Sequence, residues 1–200
     1  MSYSIIGTGT VGSTLASLFA KAGIEVGFAN TRGAEAVRPL AEKLGASVVA
    51  RAREEALEAE VIFFAVQFLH FKELGMALPD WNGKIVVDVT NALGLSPDVI
   101  EAELGGRLSS VVNSERVPGA RLVKAFNHLP VAVLASPVPE GSRRAVFVSS
   151  DDEDASATIA RLAERLRFAS IQLGKLAEGG RLVHAGNALV FQDLIKLDKK

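Results

Sequence analysis

Short apolar runs alternate along the chain with segments whose apolar positions recur at helical spacing. Between the first two runs, Val11, Leu15 and Phe19 follow the helical repeat, and Gly23 stands where that helix should end. The pattern predicts strands at residues 2–6, 24–29, 46–50, 61–66, 85–89, 122–126, 145–149 and 168–173. It predicts helices at residues 11–22, 34–44, 54–60, 68–78, 96–104, 152–167 and 188–197. Because strands and helices alternate throughout, the predicted fold class is α/β, with a doubly wound, mostly parallel sheet.

Composition and charge narrow the class of protein. The 200 residues include 22 Lys and Arg and 23 Asp and Glu, so no basic excess indicates a nucleic-acid partner. The absence of cysteine excludes disulfides, thiolate catalysis and zinc–cysteine sites, and it fits a reducing cytoplasm. The uncharged first residues are unlike a signal peptide, and no apolar run reaches the roughly 18 residues of a membrane span. We therefore expect a cytoplasmic protein with no membrane partner.

A glycine-rich loop follows the first predicted strand and opens the first predicted helix. Gly7-Thr8-Gly9-Thr10-Val11-Gly12 fits the dinucleotide-binding pattern G-x-G-x-x-G. Its first glycine permits a tight turn, its second lets a pyrophosphate approach the backbone, and its third lets the helix pack closely on the strand. The loop predicts a Rossmann NAD(P)-binding fold. The alternative is a glycine-rich turn that binds nothing.

The end of the second predicted strand bears on the choice of cofactor. A carboxylate there would accept hydrogen bonds from the adenosine ribose and favour NAD. This chain has Asn30-Thr31-Arg32, and the guanidinium of Arg32 can bind a 2′-phosphate and stack on adenine. The turn therefore favours NADP(H), although a solvated turn with an incidental arginine is the alternative.

Other candidate residues lie where further predicted strands end, since open α/β sheets bind ligands at that edge. Ala65-Val66-Gln67 end the fourth strand, and we expect them to contact the cofactor. Asn91 follows the fifth strand and could hydrogen-bond the nicotinamide amide or ribose. Asn127 could position a second ring. His128 could act as an acid or base, or it could only form hydrogen bonds in the wall of a loop. Helix capping explains the carboxylates at residues 151–154, so no metal site is expected.

Three segments together resemble a known family. The glycine loop, the Asn30–Arg32 turn and the run from Leu122 to Asn127, with its Lys-x-Phe-Asn pattern, resemble the deazaflavin (coenzyme F420)-dependent NADP oxidoreductases. They are also similar to the reductase domain of the six-transmembrane epithelial antigen metalloreductases. The order of elements after Asn127 extends the resemblance over almost the whole chain. It differs at Gln67, where the family usually has proline.

The resemblance implies hydride transfer between NADP(H) and a flavin or a deazaflavin such as coenzyme F420, in a homodimer. We expect residues 1–120 to be the dinucleotide-binding Rossmann domain. Residues 121–200 would then continue the sheet as a small C-terminal extension carrying the second-ligand and dimer segment, all in one compact unit. Two alternatives stay open. One is an NADP-dependent dehydrogenase of a small carbonyl or imine, and the other is a sensor that binds NADP without turnover.

Overall fold

A single twisted sheet organises the molecule in the computed structural model, which describes residues 1–197. Its strands are β1 Tyr3–Ile6, β2 Val26–Ala29, β3 Val48–Ala50, β4 Val61–Phe64, β5 Ile85–Asp88, β6 Arg121–Ala125, β7 Ser142–Ser150, β8 Ala169–Gly174 and β9 Ile195–Leu197. They lie in the order β3-β2-β1-β4-β5-β6-β7-β8, and β9 pairs with β7. Only β7 against β6 and β9 against β7 run antiparallel within the described residues. The predicted α/β fold with a mostly parallel sheet is confirmed.

Helices cover both faces of this sheet. They are α1 Thr10–Lys21, α2 Ala34–Leu44, α3 Arg53–Ala56, α4 Phe71–Gly75, α5 Pro97–Leu104, α6 Ser109–Glu115, α7 Val131–Leu134, α8 Glu153–Arg165 and α9 Gly179–Leu182, with a 3₁₀ turn at Phe68–His70. One core packs α1, α2 and α8 on the sheet, and a second core around Trp81 packs α3 and α4 on the other face. Strand β4 is buried along its whole length between the two cores, as its uninterrupted apolar sequence predicts.

The chain reverses direction across the sheet between β1 and β4. From β1 it moves outward through β2 to β3, and it then returns to β4 on the other side of β1. Ile5 consequently pairs with Phe28 on one side and with Phe63 on the other. The connections that leave the carboxyl ends of β1 and β4 therefore run in opposite directions. Doubly wound sheets bind their ligands in the crevice that such a reversal leaves between the two strand ends.

Local signals place several helix ends where the sequence predicts them. Ser96 caps α5 by accepting a hydrogen bond from the Val99 amide, with Pro97 as the first helical residue. Asp152 caps α8 by accepting from the Ala155 amide at 2.7 Å. These side chains bond amides that the helix itself leaves unpaired, so the start of each helix is encoded locally.

The C-terminal helix predicted over residues 188–197 is wrong. Residues 188–191 form turns instead, and Phe191 has a φ of 65°, which a right-handed helix does not allow. The Leu194 carbonyl accepts from the Ala145 amide at 2.8 Å, and β9 then pairs with the first residues of β7. Pairing with an open strand edge has overridden the local apolar pattern.

Two further helical predictions differ from the structure, and the short helices α6, α7 and α9 were not predicted. The helix predicted over residues 54–60 is the single turn α3, and the one predicted over 68–78 is the 3₁₀ turn followed by α4. Helix α6 was not predicted, because its sequence of Ser, Val and Asn favours other conformations locally. Burial of one face of α6 supplies the stability that its local sequence does not.

Candidate functional site

The glycine loop adopts the geometry that its three glycines predict. Gly7 has a φ of 116°, and a Cβ there would lie inside contact distance of the Ala65 carbonyl. A Cβ on Gly12 would overlap the Gly7 carbonyl oxygen. A Cβ on Gly9 would meet nothing within 4 Å. The outer glycines are thus required by the fold itself, whereas the space above Gly9 is free for a ligand.

Helix α1 begins directly at this open space. Its N-cap is Gly9, no side chain caps its first amides, and its first turn contains no acidic residue. Unpaired amides at a helix N-terminus carry a partial positive charge and bind phosphate. The loop and Thr10 and Val11 at the start of the helix therefore fit a pyrophosphate.

The turn after β2 is joined to the glycine loop by one side chain. Asn30 donates from Nδ2 to the Thr8 hydroxyl at 2.9 Å and accepts the Arg32 amide on Oδ1 at 2.8 Å. Its amide therefore holds the turn against the glycine loop through one Nδ2 hydrogen and through Oδ1. The Arg32 backbone is fixed as a result, while its side chain is exposed beside Thr31.

A cleft of about 480 Å³ opens between the loop, the turn and the end of β4. Of the predicted residues, it is lined by Gly7, Gly9, Asn30, Thr31, Ala65, Val66 and Gln67. Two other clefts of similar volume lie at the amino ends of the strands, away from the crevice. The structure thus brings the loop, the turn and the fourth strand end into one site.

Three charged or polar side chains in this cleft were not predicted. Arg53, Glu73 and His70 line it, and the Arg53 side chain is 38% exposed with its Nε 3.5 Å from a Glu54 carboxylate oxygen. The only sequence signal for Arg53 is its position three residues after β3, the next strand beyond the turn. It places a second guanidinium on the side of the cleft that Asn30 and Thr31 also line.

A buried ion pair ties the ends of β5 and β6 together. Lys124 and Asp88 are almost fully buried, and their Nζ and Oδ2 atoms are 3.0 Å apart. Asp88 also accepts from the Thr90 amide and hydroxyl and from Asn113 Nδ2, and Lys124 donates to the Thr90 carbonyl at 2.5 Å. The Lys-x-Phe-Asn pattern thus has a structural basis. Asp88 was missed, although a carboxylate closing an apolar strand is itself a signal.

The two asparagines predicted as site residues, Asn91 and Asn127, follow the ends of the same two strands. Asn91 donates from Nδ2 to the Asn127 carbonyl at 3.2 Å, and Asn127 donates from Nδ2 to the Val183 carbonyl at 2.8 Å. Neither Oδ1 atom has a partner among the described residues or is buried, so both are open acceptors. Both residues lie outside the lining of the cleft, towards β6.

Asn127 owes its position to the residue before it. Phe126 has a φ of 59°, a conformation that costs a non-glycine residue about 1–2 kcal/mol. Its ring packs in the core against Phe63 and Phe168, with centroids 6.0 and 5.9 Å away. The packing holds the backbone turn, and the turn directs the chain across the end of β6.

The structure does not bring His128 to the cleft. The ring is 1% exposed and lies edge-on to Phe147, and neither ring nitrogen makes a hydrogen bond. Burial lowers the pKa of His128 to about 4, although the charge of Asp193 opposes this shift. At neutral pH the imidazole is therefore uncharged and part of a core.

Residues 1–197 contain neither a membrane-spanning helix nor a cluster of metal ligands. No helix there is long and apolar enough to cross a membrane. In the same residues, no three His, Cys, Asp or Glu side chains come together in a way that could hold a metal ion.

Comparison with known proteins bears on the family. Residues 2–92 match the family described as NADP oxidoreductase, coenzyme F420-dependent. The metalloreductase STEAP3 of Rattus norvegicus is 30% identical over 126 residues, which are 62% of this chain and 25% of the rat protein. The chain thus spans about a quarter of the length of that curated relative.

Two solved structures share the fold over most of their length. A hypothetical protein of Sinorhizobium meliloti is 41% identical, with a TM-score of 0.90, over 98% of this chain and 96% of its own. A proposed F420-dependent NADP reductase of an Arthrobacter species is 26% identical, with a TM-score of 0.70, over 88% and 86%. The matched residues 2–92 contain the glycine loop, the Asn30–Arg32 turn and Asn91. Through these residues the first half of the chain is similar to the coenzyme F420-dependent NADP oxidoreductase family.

Proposed function

We propose that the chain binds NADPH in the cleft over Gly9 and passes its hydride to a flavin or deazaflavin of the coenzyme F420 type. The observation that carries the cofactor half is the open space above Gly9 next to a turn without a carboxylate. The pyrophosphate would lie on the first amides of α1. Arg32 and Arg53 would face the 2′-phosphate, because a guanidinium binds phosphate through paired hydrogen bonds.

The nicotinamide end would lie along the ends of β4 and β5. Ala65, Val66 and Gln67 form that wall, and the open Oδ1 of Asn91 can accept from a carboxamide. NADPH supplies the hydride when bound, so the protein has to position two rings and exclude water. Asn127, with its own Oδ1 open, would hold the acceptor ring beside the first.

His128 has no part in this arrangement. Its ring is buried against Phe147 and neutral, and it would have to leave that contact to reach either ring. A substrate whose reduction needs a proton donor at this position is therefore disfavoured. The open amide oxygens suit a conjugated ring system instead.

We also propose a homodimer in the cytoplasm. The last described segment exposes several large apolar side chains, including Phe191 at 57% and Leu197 at 74%. Apolar groups concentrated in one segment are typical of a surface that a second copy covers. Light scattering on the purified protein tests the dimer, and a monomer at micromolar concentration would contradict it. The proposed cytoplasmic location is based on the absence of cysteine, and fractionation of cells that express the protein tests it.

Calorimetric titration with NADPH and NADH tests the cofactor half. We expect NADPH to bind more tightly than NADH, and Arg32→Ala to weaken NADPH alone by roughly five- to tenfold. The matched control is Arg38→Ala, since Arg38 is already paired with Glu35 at 2.5 Å. Equal losses in both variants, or no preference in the wild type, would contradict the assignment.

Oxidation of NADPH in the presence of flavin mononucleotide, riboflavin or a 5-deazaflavin tests the acceptor half. Oxidation by one of them establishes the acceptor class. Oxidation only by small carbonyls or imines would favour the alternative dehydrogenase, and tight binding without any oxidation would favour a sensor.

A further inference from the structure

Ser109 holds the ring of His184, although the two residues are 75 positions apart in the sequence. The Ser109 backbone amide lies 3.5 Å from His184 Nδ1, and its hydroxyl oxygen lies 3.2 Å from the same atom. A backbone amide can only donate, so Nδ1 must present its lone pair to Ser109. In a neutral imidazole the proton then lies on Nε2.

The ring is neutral because of its surroundings. Partial burial lowers the pKa of His184, and the positive charges of Lys124 and Arg181 lower it further. Within the described residues Nε2 makes no hydrogen bond and is not buried. It is therefore an N–H donor that is fixed in direction, has no partner in the protein and is open to solvent.

This donor lies next to the proposed acceptor position. The residue before it, Val183, accepts the hydrogen bond from Asn127 Nδ2, so the segment is joined to the end of β6. The order Asn91, Asn127, Val183 is continuous through hydrogen bonds of 3.2 and 2.8 Å. His184 therefore directly follows, along the chain, the residue whose carbonyl Asn127 bonds.

We propose that Nε2–H of His184 donates a hydrogen bond to a carbonyl oxygen or ring nitrogen of the hydride acceptor, with Ser109 fixing the donor tautomer. The proposal rests on the proposed function. A conjugated acceptor that receives a hydride develops negative charge on such a heteroatom, and a preorganised N–H group stabilises that charge. The imidazole keeps its proton, so its contribution is electrostatic and orienting.

Nitrogen-15 NMR of the imidazoles tests the geometry without reference to turnover. The chain has three histidines, so three single His→Gln variants assign every ring signal. We expect His184 at neutral pH to carry its proton on Nε2. With NADP⁺ saturating, adding the flavin or deazaflavin that the wild type reduces should shift that signal. A proton on Nδ1, or a signal that the acceptor leaves unmoved, would overturn the proposal.

Kinetics then separate a donor from a structural ring. His184→Phe should lower kcat/KM for the acceptor about three- to tenfold, and His184→Gln, which keeps an N–H near the Nε2 position, should stay within roughly twofold of wild type. Gln192→Ala, an exposed and uncharged change in the same C-terminal segment, is the control. NADPH affinity should be unchanged in all three. Wild-type kinetics in His184→Phe would sink this inference alone, whereas a wild type that reduces no acceptor would sink the proposed function first.

Discussion

Alanine at Gly9 should separate ligand binding from folding. Gly9 has a φ of −74°, which any residue adopts, and a Cβ there meets nothing within 4 Å. Gly9→Ala should therefore leave the free energy of unfolding unchanged or raise it by up to about 1 kcal/mol, because alanine restricts the unfolded chain. The new methyl group would instead occupy the space through which a pyrophosphate reaches the first amides of α1.

The expected loss of affinity follows from the hydrogen bonds that the methyl group would block. A hydrogen bond to a charged group contributes about 1.5–3 kcal/mol. Losing one such bond weakens NADPH binding by roughly 10- to 150-fold. Calorimetric titration measures this loss, and thermal unfolding of the ligand-free protein measures the stability.

Gly12→Ala is the matched control. Its Cβ would overlap the Gly7 carbonyl oxygen, so the loop and helix have to move apart. Overpacking of this kind costs about 1–3 kcal/mol, so this variant should unfold at a lower temperature. Wild-type NADPH affinity in Gly9→Ala would refute the assignment of the loop as a phosphate site.

Two further predictions concern buried ionisable side chains. Lys124→Met leaves the Asp88 carboxylate without its cation and should lower the free energy of unfolding by about 3–5 kcal/mol in urea titrations; a loss below about 1 kcal/mol would mean that the pair is not structural. His128 has a folded pKa of about 4 against an ordinary 6.5, so the unfolded chain binds its proton first as the pH falls. Its stabilising effect is complete above pH 6.5 and is lost towards pH 4, a difference of about 3 kcal/mol. That part of the pH dependence should be absent in His128→Phe, and an unchanged slope in denaturant titrations would contradict the buried neutral ring.

The first half of the chain was predictable because its signals are local. The roles of the glycines follow from backbone sterics, and a cap such as Ser96 acts within one turn of its helix. The open space at Gly9 is a direct consequence of the sequence pattern. Element type and order, and most of the cleft lining, come from such short-range rules.

The second half depends on contacts between distant residues. The C-terminal segment has a helical apolar pattern, but the unpaired edge of β7 lies some fifty residues earlier in the chain and captures it as β9. Arg53 reaches the cleft only because β3 ends beside β2. His184 gains its fixed orientation from Ser109, 75 residues away in the sequence. No local pattern encodes these pairings.

The hydrogen bonds of Asn30 have a consequence for how such a protein could change cofactor. An aspartate at this position could still accept the Arg32 amide, and its second oxygen could accept from the Thr8 hydroxyl once that hydroxyl rotates. The turn would then keep its shape while presenting a negative charge to the ribose, which favours NAD over NADP. Asparagine and aspartate differ by one nucleotide in their codons. A single mutational step could therefore weaken the proposed preference for the phosphorylated cofactor, although Arg32 and Arg53 would stay in place.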